Sequence, residues 1–305
     1  MTVRAPAAGA ILLMVAGCVA PPAMAPAVAP ASPPPPPRAL PVAAPVPEAP
    51  LPPAAIRIDG SASQGGLLLG TAPTGTAQLR KDGEPVPVAA DGRFVVAFDR
   101  DAGPTSTLEA VLRDGRTVTR SISVAPRAWR IERLDRVAKY PVPGADFQRR
   151  RPDELAQIAA ARSQSSDVEG WRQRFTWPVT GRISGLFGAQ RIYRGEPGSY
   201  HSGVDVARPA GTPVKAPADG VVVLAAASPF TLEGNLLIID HGMGLNSAFL
   251  HLSRIDVPVG ARVRQGEVVG AIGATGRASG PHLHWAMKWR DARIDPLLIA
   301  GPMPQ

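Results

Sequence analysis

The sequence predicts an all-β protein: a mainly antiparallel β domain over residues 177–298, preceded by a small β-sandwich-like domain over 56–126. Three observations carry that expectation. Between Ile56 and Pro126, short apolar runs such as GLLLG (66–70), GRFVVAF (92–98) and RTVTRSISV (116–124) alternate with turn signals. Asp82-Gly83, Asp91-Gly92 and Asp114-Gly115 are dipeptides of the hairpin type. From Trp177 onward, glycine and proline punctuate short Val/Ile/Leu strands: GVVVLAA (220–226), NLLIID (235–240) and EVVGAIG (267–273). Proline (35) and glycine (31) together exceed a fifth of the 305 residues, too many for a compact helical protein.

Taken in order, the chain opens with Arg4 and an apolar run over 5–16 that is too short to span a bilayer comfortably. The run ends in Val15-Ala16-Gly17-Cys18, which holds the chain's one cysteine. This stretch resembles a bacterial lipobox. The resemblance implies a signal peptide over 1–17, lipidation of Cys18, and export to the periplasm. It also implies a lipid anchor in the outer membrane, since Val19 rather than Asp follows the cysteine. Residues 18–55 are almost entirely Pro and Ala, cannot build a core, and favour an extended polyproline tether. At about 3.1 Å per residue such a tether reaches roughly 100 Å.

The 56–126 segment contains no histidine and reads as a spacer or binding module. Residues 127–176 form a basic connector, in which Asp153-Glu154-Leu155 opens a helix carrying Leu155, Ile158 and Ala159 on one face. Residues 299–305 are a tail. A single cysteine excludes a disulfide scaffold, and no stretch of about 18 apolar residues exists for a polytopic membrane protein. The net charge of +8 suits an anionic partner, but no recognition helix or clustered basic-aromatic platform points to nucleic acid.

All five histidines lie beyond residue 200, which locates the chemistry. His201 and Asp205 stand four residues apart. His282 and His284, at i and i+2, share one face of a strand. Two neutral imidazoles and one carboxylate are a three-ligand set for catalytic Zn²⁺ that leaves a fourth position for water. A trio using both His282 and His284 is physically open; a division into one ligand and one proton-transfer group is the more natural arrangement. His241, before Gly-Met-Gly, reads as a hairpin residue, and Asp219 and Asp240 as turn residues. Trp285 and Trp289 read as packing residues.

The stretches HSGVDVARPAGTPVKAPADGVV (201–222), GNLLIIDHGMG (234–244), FLHLS (249–253), VGARVRQGEVVGAIGATG (259–276) and SGPHLHW (279–285) together resemble the catalytic domain of the lysostaphin/LytM-type zinc metallopeptidases. The entry WPVTGRISGLFG (177–188) is similar too. The resemblance implies one Zn²⁺ held by His201, Asp205 and His284, with His251 and His282 as non-ligand catalytic histidines. It implies an endopeptidase acting on peptidoglycan cross-links, the D-alanyl–meso-diaminopimelate bond in a wall of this kind, with a protein regulator as a further partner. The rival expectation is a non-catalytic peptidoglycan-binding regulator that activates a cell-wall amidase; relatives of that kind typically lose zinc ligands. Two departures stand out: Phe249, where the family often has tyrosine, expected to tune a subsite, and the polar insertion RIYRGEPGSY (191–200), expected to line the groove.

Overall fold

Asp82 and Gly83 both take positive φ (50° and 88°), and Lys81 pairs directly with Glu84, so this dipeptide closes a two-residue hairpin as expected. Such turns, with Gly92 and Gly115 also at positive φ, fold residues 57–125 into eight strands. Arg57–Asp59, Leu67–Thr71 and Arg93–Ala97 form a three-stranded sheet. Ala62–Ser63, Thr76–Lys81, Glu84–Val86, Thr105–Leu112 and Thr117–Ala125 form a five-stranded one. Leu79, Phe94, Val96, Leu108 and Ile122 are their inward residues, and they belong to a core continuous with that of the histidine-bearing region. The computed structural model describes residues 54–136, 144–226 and 228–304, all within one compact unit. The expected signal peptide, Cys18 and nearly all of the Pro/Ala segment lie outside the described residues.

The second region is an antiparallel sheet whose centre runs Val204–Ala207 (β1), His282–Trp289 (β5), Leu245–Ile255 (β4), Asn235–Asp240 (β3) and Gly220–Ala225 (β2). Ala292–Ile294 (β6) pairs with the far end of β5. One face contributes Leu237, Ile239, Phe249, Leu283, Trp285 and Met287 to the main core. The other contributes Leu236, Ile238, Ala248 and Ala286 to a second cluster closed by Ala161 and Ile158. Burial on both faces explains why NLLIID reads as an unbroken apolar run rather than an alternation.

Ala161 and Ile158 belong to the helix Ala145–Ser163 (α1), which departs from the sequence expectation twice. It begins eight residues earlier than Asp153 and runs through Pro152, so proline is interior rather than in the first turn. The face turned to the sheet carries Glu154, Ile158 and Ala161, while Leu155 is 49% exposed and Ala159 is exposed. The cause is polar anchoring. Arg151 makes a forked pair with Glu233 (2.6 and 2.8 Å), and the Glu154 carboxylate accepts from Thr231 N (2.8 Å) and Oγ1 (2.5 Å). These charge-assisted bonds fix the rotation of a helix whose apolar pattern alone is weak.

His241 sits at the hairpin between β3 and β4, as expected, and is fully buried. Its Nδ1 donates to Asp219 O (2.8 Å), Nε2 lies 2.9 Å from Ser247 Oγ, and the ring meets the edge of Phe175. Asp240 accepts from Ser166 N and Gly242 N, and Asp219 from Gln265 N, so both carboxylates serve turns. Burial pushes the His241 pKa down to about 4 from 6.5. Between those values the unfolded chain binds a proton that the folded chain does not, so stability falls as pH drops from 6.5 towards 4. The loss reaches about 3 kcal/mol once the window is crossed. Urea unfolding at pH 7, 5.5 and 4 is expected to show this decline, and His241→Gln to flatten it while lowering stability at pH 7.

Candidate metal centre and active site

The register of β1 against β5 places Asp205 opposite His284, so their side chains rise from the same face. His201 reaches the same point from the loop four residues before Asp205. His201 Nε2 lies 3.0 Å from Asp205 Oδ1 and 3.0 Å from His284 Nδ1, and the last two atoms are 2.8 Å apart. Three nitrogen and oxygen donors on one tetrahedral zinc-sized ion lie about 3.3 Å from each other, so the set fits a small divalent cation. Two glycines make the approach possible. A Cβ on Gly185 would stand 2.3 Å from Asp205 Oδ2, and one on Gly203 would stand 2.4 Å from Trp285 O and 2.8 Å from His284 Nε2.

Protonation states fit the same conclusion. Burial opposes ionisation of Asp205, but hydrogen bonds from His201 and His284 hold it well below the usual carboxylate range. Burial pushes His284 down. Burial also disfavours a charged His201, but Asp205 outweighs it and raises the proton affinity. His201 Nδ1 donates to Leu186 O (3.0 Å), so the nitrogen facing Asp205 is the one that exchanges a proton for a cation.

The two other histidines face the same cleft. His282 Nδ1 donates to Gly280 O (2.8 Å), leaving Nε2 free 3.8 Å from Asp205 Oδ1. His251 Nδ1 donates to Thr275 O (2.8 Å), and its ring centroid is 4.9 Å from that of His282. His251 takes φ +64° inside β4, where the ladder is irregular, and its N–H turns to Glu233 O (2.8 Å). A histidine at positive φ in a strand is a local strain that re-aims the side chain. Glu233 is the residue that Arg151 of α1 grips, so the helix braces this histidine from outside.

All five predicted site residues in the described region therefore converge. Phe249 differs from expectation: it is fully buried in the main core, so it tunes no subsite surface. Trp285 and Trp289 are buried packing residues, as expected. The insertion forms a hairpin, Gln190–Tyr193 with Glu196–Pro197, whose outer edge pairs with Ile131–Leu134 of the connector.

Sequence reasoning missed the residues that steady His201. Arg100, 6% exposed, donates from Nε to Gly188 O (3.0 Å) and from Nη2 to Gln190 Oε1 (3.1 Å), and lies 4.7 Å over the Tyr200 ring. Tyr200 donates its hydroxyl to Asp99 Oδ1 (3.1 Å). Gly188 N donates to His201 O, and His201 N to Ala189 O (both 2.8 Å). A loop of the N-terminal β region thus clamps the loop that carries His201, a candidate ligand, and only the adjacency of Tyr200 to His201 hinted at it. Arg100→Ala is expected to weaken binding of a divalent cation about tenfold, as for outer partners of metal ligands, with Arg100→Lys intermediate. Competition titration with a chromogenic chelator checks this.

A family model described as Peptidase family M23 matches residues 199–296. A crystal structure from Pseudomonas aeruginosa, provisionally named a peptidase M23, is 32% identical, covers 79% of this chain and 96% of its own, and superposes with a TM-score of 0.62. The DD-carboxypeptidase/endopeptidase Mpg of Neisseria meningitidis is 39% identical over 128 residues, 41% of this chain and 28% of the relative. The peptidoglycan DD-endopeptidase ShyA of Vibrio cholerae is 38% identical over 135 residues, 43% of this chain and 30% of the relative. The chain thus spans under a third of the length of these curated relatives. Likeness along nearly the whole of the Pseudomonas structure, together with the matched segment around all five histidines, makes this chain a member of peptidase family M23.

Proposed function

We propose that this protein is a zinc-dependent endopeptidase that hydrolyses peptide cross-links of peptidoglycan, the D-alanyl–meso-diaminopimelate bond in particular. The observation that carries the reading is the meeting of one carboxylate and four imidazoles on one open face, three of them within bonding distance of a shared point. His201, Asp205 and His284 would hold the ion through Nε2, Oδ1 and Nδ1. Zinc held there supplies Lewis-acid activation of water and of the scissile carbonyl.

The remaining steps belong to the chain's own side chains. His251 and His282 each have Nδ1 tied to a backbone carbonyl, which fixes the tautomer and leaves Nε2 to face the substrate. One Nε2, unprotonated, takes the proton of the attacking water and returns it to the leaving amine; the other ring acts as an imidazolium, its second proton on Nε2 donating to the scissile carbonyl oxygen as charge gathers there. Each chain residue thereby either holds the ion or moves a proton, and no glutamate base is needed. The names of the Neisseria and Vibrio relatives support peptidoglycan as substrate. On sequence grounds alone, we further infer export and a lipid anchor at Cys18, with the 18–55 tether setting the reach of the enzyme from the outer membrane.

Incubation of the zinc-loaded protein with diaminopimelate-type sacculi is expected to convert cross-linked dimers to monomers, read by mass. His284→Ala is expected to lose both the bound metal and the activity. His251→Ala and His282→Ala are expected to retain one zinc per chain while turnover drops about 10²–10⁴-fold. Intact dimers with zinc fully bound would overturn the reading.

A further inference from the structure

His251 is held at two points, and both belong to one junction of the chain. Its N–H turns to Glu233 O, just before β3, and its ring Nδ1 donates to Thr275 O (both 2.8 Å). The segments that supply these two carbonyls lie backbone against backbone. A Cβ on Gly234 would stand 2.4 Å from Thr275 C, and one on Gly276 would stand 2.3 Å from Gly234 N, so glycine alone permits the approach. Both glycines also take positive φ (65° and 70°). Arg277 N closes the contact by donating to Leu232 O (2.9 Å).

One side chain ties this junction to the strand that bears the histidine. Asn235 of β3 and Leu252 of β4 stand opposite each other in register, and Leu252 directly follows His251. The Thr275 hydroxyl bridges them: Oγ1 accepts from Asn235 N and donates to Leu252 O (both 2.9 Å). Asn235 supports the same carbonyl from its side chain, Nδ2 donating to Leu252 O (2.9 Å) and Ser253 O (3.3 Å). A threonine in a loop ordinarily bonds backbone groups a few residues away. This hydroxyl instead spans 40 positions to Asn235 and 23 to Leu252, so its bonds are tertiary. They complete a closed circuit. The His251 ring is held by Thr275 O, the Thr275 hydroxyl is held by Leu252 O, and Leu252 is joined covalently to His251.

We infer that Thr275 is the positioning residue of His251: its hydroxyl locks the carbonyl that orients the imidazole to the strand from which that imidazole springs. The consequence for turnover rests on the endopeptidase reading above. Without the hydroxyl, Asn235 N loses its acceptor and the 275 peptide loses its tie to β4. A carbonyl that drifts beyond hydrogen-bond range no longer selects the Nδ1–H tautomer, and the ring loses its aim as well. The same loop ends at Gly280, whose carbonyl accepts from His282 Nδ1, while His282 N donates back to Gly273 O. Residues 275–280 therefore orient both imidazoles that lie outside the ion-binding trio, and Thr275 anchors the end of that loop nearer His251.

The test uses the full-length, zinc-loaded protein carrying ¹⁵N-labelled histidine, with long-range ¹H–¹⁵N spectra reading each ring's tautomer and His251→Ala identifying the His251 signals. The wild type is expected to show His251 as a single tautomer protonated on Nδ1. Thr275→Val, which keeps the shape and removes the hydroxyl, is expected to show a second tautomer or averaged signals while retaining one zinc per chain. On cross-linked stem-peptide dimers its kcat is expected to fall about 10- to 100-fold with KM within about twofold, and Thr275→Ser to restore both the spectrum and most of the rate. Thr275→Ala, which leaves room for a water in place of the methyl, gives the same readings where the valine variant does not fold. An Nε2-protonated His251 in the wild type, an unchanged His251 spectrum in the variants, or loss of zinc from them overturns the positioning role. A tautomer change in the variants with no cleavage by the wild type overturns the endopeptidase reading and leaves the positioning role standing.

Discussion

Pairing of β1 with β5 is the constraint on which the rest depends. It sets Asp205 beside His284, and through the two-residue period it sorts β5 into two sets. Leu283, Trp285, Met287 and Trp289 enter the core, while His282 and His284 face the cleft and Ala286, on the same side, packs beneath α1. A slip of one residue would exchange the sets, burying two imidazoles and exposing Trp285. Burial resists that slip: Leu283 and Met287 each contribute about 1.5–3 kcal/mol to the register. The chemistry of the face is thus held by the apolar residues of the opposite face, which take no part in it.

The site is assembled against local preference. His251 stands at positive φ, a conformation that costs on the order of 1–3 kcal/mol and persists only when surroundings over-determine it. Here they do: Glu233 O holds its N–H, Thr275 O holds its ring, and α1 grips Glu233 through Arg151. The connector helix therefore does more than cover the sheet. Removing its ion pair would free the segment on which a strained imidazole depends.

What the sequence made legible divides along contact distance. The hairpins at Asp82-Gly83 and Asp114-Gly115, strands written as apolar runs, and histidines placed by strand period are local, and the structure bears them out; Asp91-Gly92 makes a turn, but it links strands of two different sheets. Local rules failed where a distant partner outweighed them. Asp153-Glu154-Leu155 reads as a helix start, yet α1 begins at Ala145; Leu155 looks like a core residue, yet Glu154 is buried because Thr231 awaits it, 77 positions on. Phe249 shares parity with His251 along the strand, but the backbone irregularity between them separates their environments. No spacing in the sequence joins Arg100 to Gly188.

Arg100 bears on what the N-terminal β region is for. A guanidinium buried in a spacer junction would be a poor choice, since apolar residues of like volume usually serve stability as well or better. Every nitrogen of Arg100 is engaged, with Asp101, Gly188 and Gln190, and its plane lies against Trp129 and Tyr200. Such a fork fixes direction more than it adds stability. The direction it fixes is that of the loop carrying His201 and Leu186 O, the carbonyl that sets the tautomer of that imidazole. β1 and β5 supply Asp205 and His284 from within one sheet, but His201 lies outside the ladder and needs an external reference. The N-terminal β region provides one, so the two β regions act as parts of a single site.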